Sequence, residues 1–164
     1  MNRKIFLTCV RYFGQHKNAR NTLHFIYKVL PLLMFVAYPA MLVYAFFTSE
    51  ETLSKLVTVP LGVFIGVTAL RVIINEERPY ERYGEPSVFR KETVGKSFPS
   101  RHTASAFIIA MAFLSINVPL GIAALCIALL IEVSRILAGA HYIHDVAGGM
   151  VISVVCGYFF FFLL

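Results

Sequence analysis

Apolar residues run in long blocks along this chain, and the breaks between blocks predict its elements. Leu23 to Phe47 is apolar apart from a few polar positions near its start, Lys28 the only charged one, with Pro31 and Pro39 as places to bend. Leu53 to Ile74 forms a second block, with Pro60 in its first turns and Arg71 near its end. A third runs from about Ser100 to Ile116, and Asn117-Val118-Pro119 then makes a tight turn. Leu120 to Ala138 is a fourth, with Glu132 and Arg135 in its last turns. The fifth runs from about Tyr142 to Leu164, with no charge after Asp145. The first block is long enough to cross a bilayer core of about 30 Å with some tilt, and all five are read as spans.

The segments between blocks are polar. Residues 1–21 place Phe6, Cys9, Val10 and Phe13 on one helical face and Lys4, Thr8, Arg11 and Gln15 on the other. That pattern predicts a helix in the interface plane with its apolar side down, or else a frayed tail. Residues 48–52 form a short acidic link, and 75–100 a long polar loop with room for one helical turn. The fold expected is an all-α, polytopic membrane helix bundle. It has about five transmembrane helices plus an N-terminal interfacial amphipathic helix. Residues 1–164 read as a single integral-membrane domain, with the interfacial helix at 1–21 and the transmembrane core at 22–164.

Composition sharpens this picture. Hydrophobic residues make up 58% of the chain and mean hydropathy is +0.72, well above an ordinary soluble domain. The net charge of +6 has no soluble unit on which to form a nucleic-acid face, so no nucleic acid is expected as partner. The basic excess fits a membrane surface and a phosphate site instead. Cys9, Cys126 and Cys156 show no paired spacing. The last two lie in apolar runs, where a thiol behaves as a small hydrophobe.

Ionisable residues next to membrane blocks are costly and usually kept for function. They gather in three strings: RVIINEERP at 71–79, FPSRH at 98–102 and SRILAGAHYIHD at 134–145. Arg71 and Arg78 are seven apart, about two turns, so both are expected on one helix face, with Pro79 stopping the helix and Arg78 at its mouth. Their guanidiniums suit phosphate oxygens, or else anchor the helix end by snorkelling. Ser100 is a good N-cap type, and the helix after it opens with free N–H groups, a ready anion site. Arg101 adds a charge and His102 stands in the first turn. Arg135 closes the fourth helix, and Gly139 between two alanines allows a bend. His141 and Asp145 are four apart and share a face if the fifth helix begins near Tyr142. A carboxylate on one imidazole nitrogen leaves the other free to attack; alternatively Asp145 only complements the helix dipole. A metal set of His102, His141, His144 and Asp145 is the competing chemistry, but the crowd of arginines would repel a divalent ion. His144 would then act as a surface or supporting group. Glu132 either holds an arginine or sits at headgroup depth.

In this order and spacing the strings resemble the three signature motifs of the type 2 phosphatidic acid phosphatase superfamily. Arg71, six residues, then Arg78-Pro79 matches the first motif. Pro99-Ser100-Arg101-His102 matches the second. Ser134-Arg135, His141 and Asp145 match the third. Two positions depart: Arg71 stands for the usual lysine and Arg101 for the usual glycine. Many bacterial members have six spans, where this chain has about five. The resemblance implies a membrane lipid phosphatase acting on a phosphate monoester or diphosphate. The substrate would be phosphatidic acid, phosphatidylglycerol phosphate or a polyprenyl diphosphate. His141 would form a phosphohistidine, Asp145 would orient it, and His102 would protonate the leaving oxygen. Arg71, Arg78, Ser100, Arg101 and Arg135 would bind phosphate, with no metal or cofactor. The rival class is a non-enzymatic anion-binding or transport protein of the membrane.

The implied partners are a lipid phosphate and the bilayer; oligomeric state is open. A multi-pass protein of a bacterial cytoplasmic membrane is expected. The basic N-terminal segment and the catalytic loop fall on one side, because two spans separate them. The positive-inside rule puts that side in the cytoplasm, whereas many relatives work on the outer face.

Overall fold

The computed structural model describes all residues, 1–164, and is all-helical. It contains α1 (Arg3–Gln15), α2 (Lys17–Thr48), α3 (Glu50–Ile74), α4 (Pro79–Tyr83), α5 (Arg101–Ile116), α6 (Val118–Leu137) and α7 (Ile143–Tyr158). A π-helical turn, Phe159–Leu163, extends α7. Local chemistry explains several starts. Asn2, Ser49 and Asn117 each accept a backbone N–H three residues on, at 3.0, 3.3 and 3.0 Å. Glu50 and Glu51 complement the dipole in the first turn of α3.

Four helices are long and apolar enough to cross a membrane: α2, α3, α6 and the extended α7. The fifth bundle helix, α5, has 16 residues. At about 1.5 Å per residue it reaches roughly 24 Å, short of a bilayer core. It does not need that length, because it packs against α2, α3, α6 and α7. Of the five bundle helices expected, four thus meet the length of a span and α5 is a shorter apolar helix packed among them.

Small residues let α5 sit there. Ala106 and Ala110 pack with Ala124, Ala128 and Ile131 of α6 and Met34 of α2. A Cβ on Gly121 would lie 2.3 Å from the Leu114 Cα, so the α5 and α6 backbones touch. Large apolar residues point outward instead, Phe35, Phe47 and Ile73 among the most exposed. In an aqueous protein that would be a liability; here it is the lipid face.

Several boundaries differ from expectation: the links at 48–52 and 117–119 shrink to Ser49 and Asn117 between helices. The first span starts at Lys17, so residues 17–21 belong to α2 and the interfacial helix is only Arg3–Gln15. Pro31 and Pro39 stay inside one continuous helix. The apolar side of α1 also turns to the protein rather than to lipid. Phe6 is fully buried against Tyr83 at 5.3 Å, and Val10 and Phe13 pack on Leu23, Tyr27, Val88 and Ala140. The end of the bundle that carries α4 and the bend after α6 offers apolar surface that α1 covers.

Candidate active site

The three strings meet at one end of the bundle, in loops held by backbone bonds. Asn75 ends α3 in the left-handed region (φ 45°), and the chain then runs extended to Arg78, the N-cap of α4. Arg71 and Arg78 therefore do not share a helix face; the helix stops between them. They still converge. Nη1 of Arg71 donates to the Pro99 carbonyl at 2.9 Å. Nε of Arg78 donates to the Gly95 carbonyl at 3.0 Å, and its Nη1 lies 3.4 Å from the Ala140 carbonyl. Both arginines are buried. Glu81 fixes this loop by accepting from the N–H groups of Arg78 (2.9 Å) and Gly95 (2.9–3.0 Å).

His141 sits on the bend between α6 and α7, with only 1% of its surface exposed. Gly139 makes the bend possible. Its φ is +70°, and a Cβ there would come 2.5 Å from the Phe6 ring. Nδ1 of His141 faces Asp145 Oδ2 at 3.2 Å. The same oxygen accepts from the Tyr142 N–H at 2.8 Å and from the Ser97 hydroxyl at 2.5 Å. Asp145 is fully buried, so it is the acceptor and Nδ1 carries the proton. The lone pair is then on Nε2, which points at Arg78 Nη1, 3.5 Å away. Burial pushes the His141 imidazole down to about 4, outweighing the pull of Asp145 in the other direction. It is neutral, and its Nε2 is free to act as a nucleophile, at physiological pH.

Arg135 comes from the last turn of α6. It donates through Nη2 to the Tyr27 carbonyl at 3.2 Å, and its guanidinium lies 3.8 Å from the centre of the Tyr27 ring. Its Nε has no partner in the protein, although it is buried. An anion would satisfy that donor. Ser100 caps α5, its Oγ accepting from Thr103 N–H at 3.5 Å, which leaves its hydroxyl proton to give. Its own N–H donates to the Asp145 carbonyl at 2.9 Å, tying the second string to the third.

Arg101 and His102 differ from the rest in being exposed. His102 stands within electrostatic reach of Arg135, Lys91, His141 and Arg101. Both open onto a cleft of about 490 Å³ between α2, α3, α5 and α6. Phe64, Pro31, Met34 and Ile109 line its deeper part, and the Arg101 guanidinium lies 5.8 Å from the Phe64 ring. Arg101 thus lies at the surface of the cleft, over its apolar Phe64 wall.

His144 turns away from His141, stacks on Tyr142 at 5.1 Å and bonds Glu76 through Nε2 at 3.0 and 3.1 Å. Asp145 Oδ1 is 3.2 Å from the same nitrogen, out of hydrogen-bond alignment. The ligating atoms of Glu76, His144 and Asp145 lie within 4.8 Å of one another, yet the direct His144–Glu76 bond already occupies Nε2. Glu132 pairs with no arginine. It is buried in α6 with Oε1 unpartnered.

Sequence reasoning missed Tyr27, Glu76, Glu81 and Ser97. Tyr27 lies 108 positions from Arg135, and Ser97 lies 48 from Asp145. No local pattern marks such contacts.

A family model described as the PAP2 superfamily matches residues 51–164, well over half of the chain. The chain belongs to the PAP2 superfamily. The match begins in α3 and takes in all three strings. This PAP2 chain is 33% identical over 107 residues to "Undecaprenyl-diphosphatase BcrC" of Bacillus subtilis (strain 168), which covers 60% of it. It spans about half the length of that curated relative, 55%. Its fold is similar to the crystal structure of Aquifex aeolicus LpxE. The TM-score is 0.71 at 26% identity, over 92% of this chain and 91% of that one. The likeness to LpxE thus includes helices ahead of the family match. The chain is a multi-pass, all-α membrane protein of this superfamily.

Proposed function

We propose that this chain is a metal-independent lipid phosphatase that hydrolyses a phosphate monoester or diphosphate through a phosphohistidine on His141. The observation that carries the reading is the buried His141–Asp145 couple. Its free Nε2 faces Arg78 Nη1 at 3.5 Å, and His102, which lines the apolar cleft, stands within electrostatic reach of the ring.

Nε2 of His141 attacks phosphorus, and the bond to the leaving oxygen of the lipid breaks. His102 gives that oxygen its proton, then takes one from the water that cleaves the P–N bond and releases phosphate. Asp145 holds the Nδ1 proton and balances the positive ring. Arg71, Arg78, Arg135 and Ser100 hold the equatorial oxygens as charge builds, and Arg101 adds its charge from the surface of the cleft. Fixed guanidiniums supply the countercharge that magnesium supplies in many phosphoryl transfers.

The cleft beyond Arg101 and His102 suits the hydrocarbon chain of a substrate held in the bilayer. Likeness to an undecaprenyl-diphosphatase favours a polyprenyl diphosphate among the candidates, and a bacterial cytoplasmic membrane as the location. Residues 1–164 are taken as one catalytic unit. The test is phosphate release from polyprenyl diphosphate, phosphatidic acid and phosphatidylglycerol phosphate, assayed in parallel with EDTA present. Release that survives EDTA supports the reading; no release from any of them, or collapse under EDTA, rejects it.

A further inference from the structure

A second cluster of cations sits at the same end of the bundle, outside the pocket. Arg20, His24 and Lys28 occupy successive turns of one α2 face, and with Asn21, Phe89 and Arg90 they line a groove of about 400 Å³. Arg90 reaches it from the loop, its backbone held in the left-handed region at φ 44°. No acidic residue lines the groove, and none of its cationic side chains takes part in an ion pair or a side-chain hydrogen bond. Uncompensated like charges repel, so an anion placed among them is attracted by all of them.

The length of α2 places the groove in the membrane. Residues 29–48 carry no charge, and at about 1.5 Å per residue they alone span roughly 30 Å, a full bilayer core. Residues 17–28 stand beyond the core, at the depth of lipid phosphates. Phe89 supplies the aromatic side usual at that depth, with His24 edge-on to it at 5.4 Å.

We infer that this groove binds the phosphate of an anionic phospholipid from the surrounding bilayer, a ligand distinct from the substrate. The bound headgroup meets Arg20, Lys28 and Arg90, while its chains run down α2 on the lipid side. Tyr27 touches Phe89 at 4.9 Å and also braces Arg135. The lipid therefore anchors the segment of α2 that supports the catalytic clamp.

The test measures binding and does not depend on catalysis. The full chain in neutral detergent is titrated with phosphatidylglycerol, a phosphodiester, and retained lipids are counted by native mass spectrometry. Phosphatidylcholine is the neutral comparison. The Arg20→Gln/Lys28→Gln/Arg90→Gln variant should lose one retained phosphatidylglycerol. Its apparent affinity should fall on the order of 100-fold for three surface charges. The Arg20→Lys/Arg90→Lys variant should keep the lipid, and all variants should elute as the parent does on gel filtration. Equal phosphatidylglycerol retention by parent and Gln variant overturns the inference. Equal retention of phosphatidylcholine does so as well. Displacement of the lipid by an equimolar amount of inorganic phosphate would assign the groove to a free anion and also overturn it.

Discussion

The arginines of the proposed catalytic site and the cations of the α2 groove carry the same charge at the same end of the bundle. They are held in different ways. Arg71, Arg78 and Arg135 are buried and donate to the carbonyls of Pro99, Gly95 and Tyr27. Arg20, Lys28 and Arg90 have no such partners and lie at the surface. A guanidinium fixed by a carbonyl costs no reorganisation when charge develops on a substrate. A mobile cation on a long stem attracts an anion but does not fix its geometry. The difference is the one expected between the proposed transition-state site and the inferred headgroup site, and it can be broken from either side.

The largest effect is expected at His141. His141→Ala should lower phosphate release on the order of 10⁶-fold while the protein still elutes as a folded species in detergent. Near-normal release would remove His141 from the chemistry. Asp145→Asn should cost on the order of 10⁴-fold in kcat, because the amide no longer holds the Nδ1 proton and favours the wrong tautomer. Loss of folding in place of loss of kcat would make Asp145 a structural residue.

Tyr27 tests how the clamp is braced. Tyr27→Leu should cost about 10-fold in kcat/KM by removing the face beneath Arg135. Tyr27→Phe keeps that face and should change activity less than about 3-fold. Equal losses in both would assign the effect to the hydroxyl instead.

The pH profile is a further probe of burial. His141 titrates at about 4 in the fold, against an ordinary value of 6.5. The acid limb of kcat/KM should therefore fall near pH 4. The sign for stability follows from the depressed value. The folded state resists protonation, so stability from burying the neutral ring is complete above pH 6.5. It is lost as pH falls toward about 4. An acid limb near 6.5 would mean a solvated imidazole and a looser pocket.

The smallest effect separates the two cation sets by salt. Raised ionic strength should weaken lipid retention at the exposed groove more than kcat at the buried pocket. Equal sensitivity in both would erase the distinction.

Much of this was legible in the sequence, for identifiable reasons. The apolar blocks gave the bundle because a bilayer imposes a length. The third string gave the His141–Asp145 couple because four positions span one turn of helix or a bend into one. The first string misled. A seven-residue spacing implies one face only if the helix continues, and Asn75 ends it. The companion residues were hidden for another reason. Ser97 and Tyr27 act through contacts that only the assembled loops create, whereas Glu81 caps Arg78 three residues away in a local pattern that sequence reasoning missed. The packing of α1 was hidden as well, since an amphipathic helix shows that it has an apolar face and not whether lipid or protein covers it.

The central claim is that phosphate passes through His141, which requires two in-line displacements at phosphorus. The stereochemical course of hydrolysis of an isotopically chiral lipid thiophosphate tests this directly. Each displacement inverts the centre, so the account requires net retention in the released thiophosphate. Net inversion would mean that water attacks the substrate in a single step, and would contradict it.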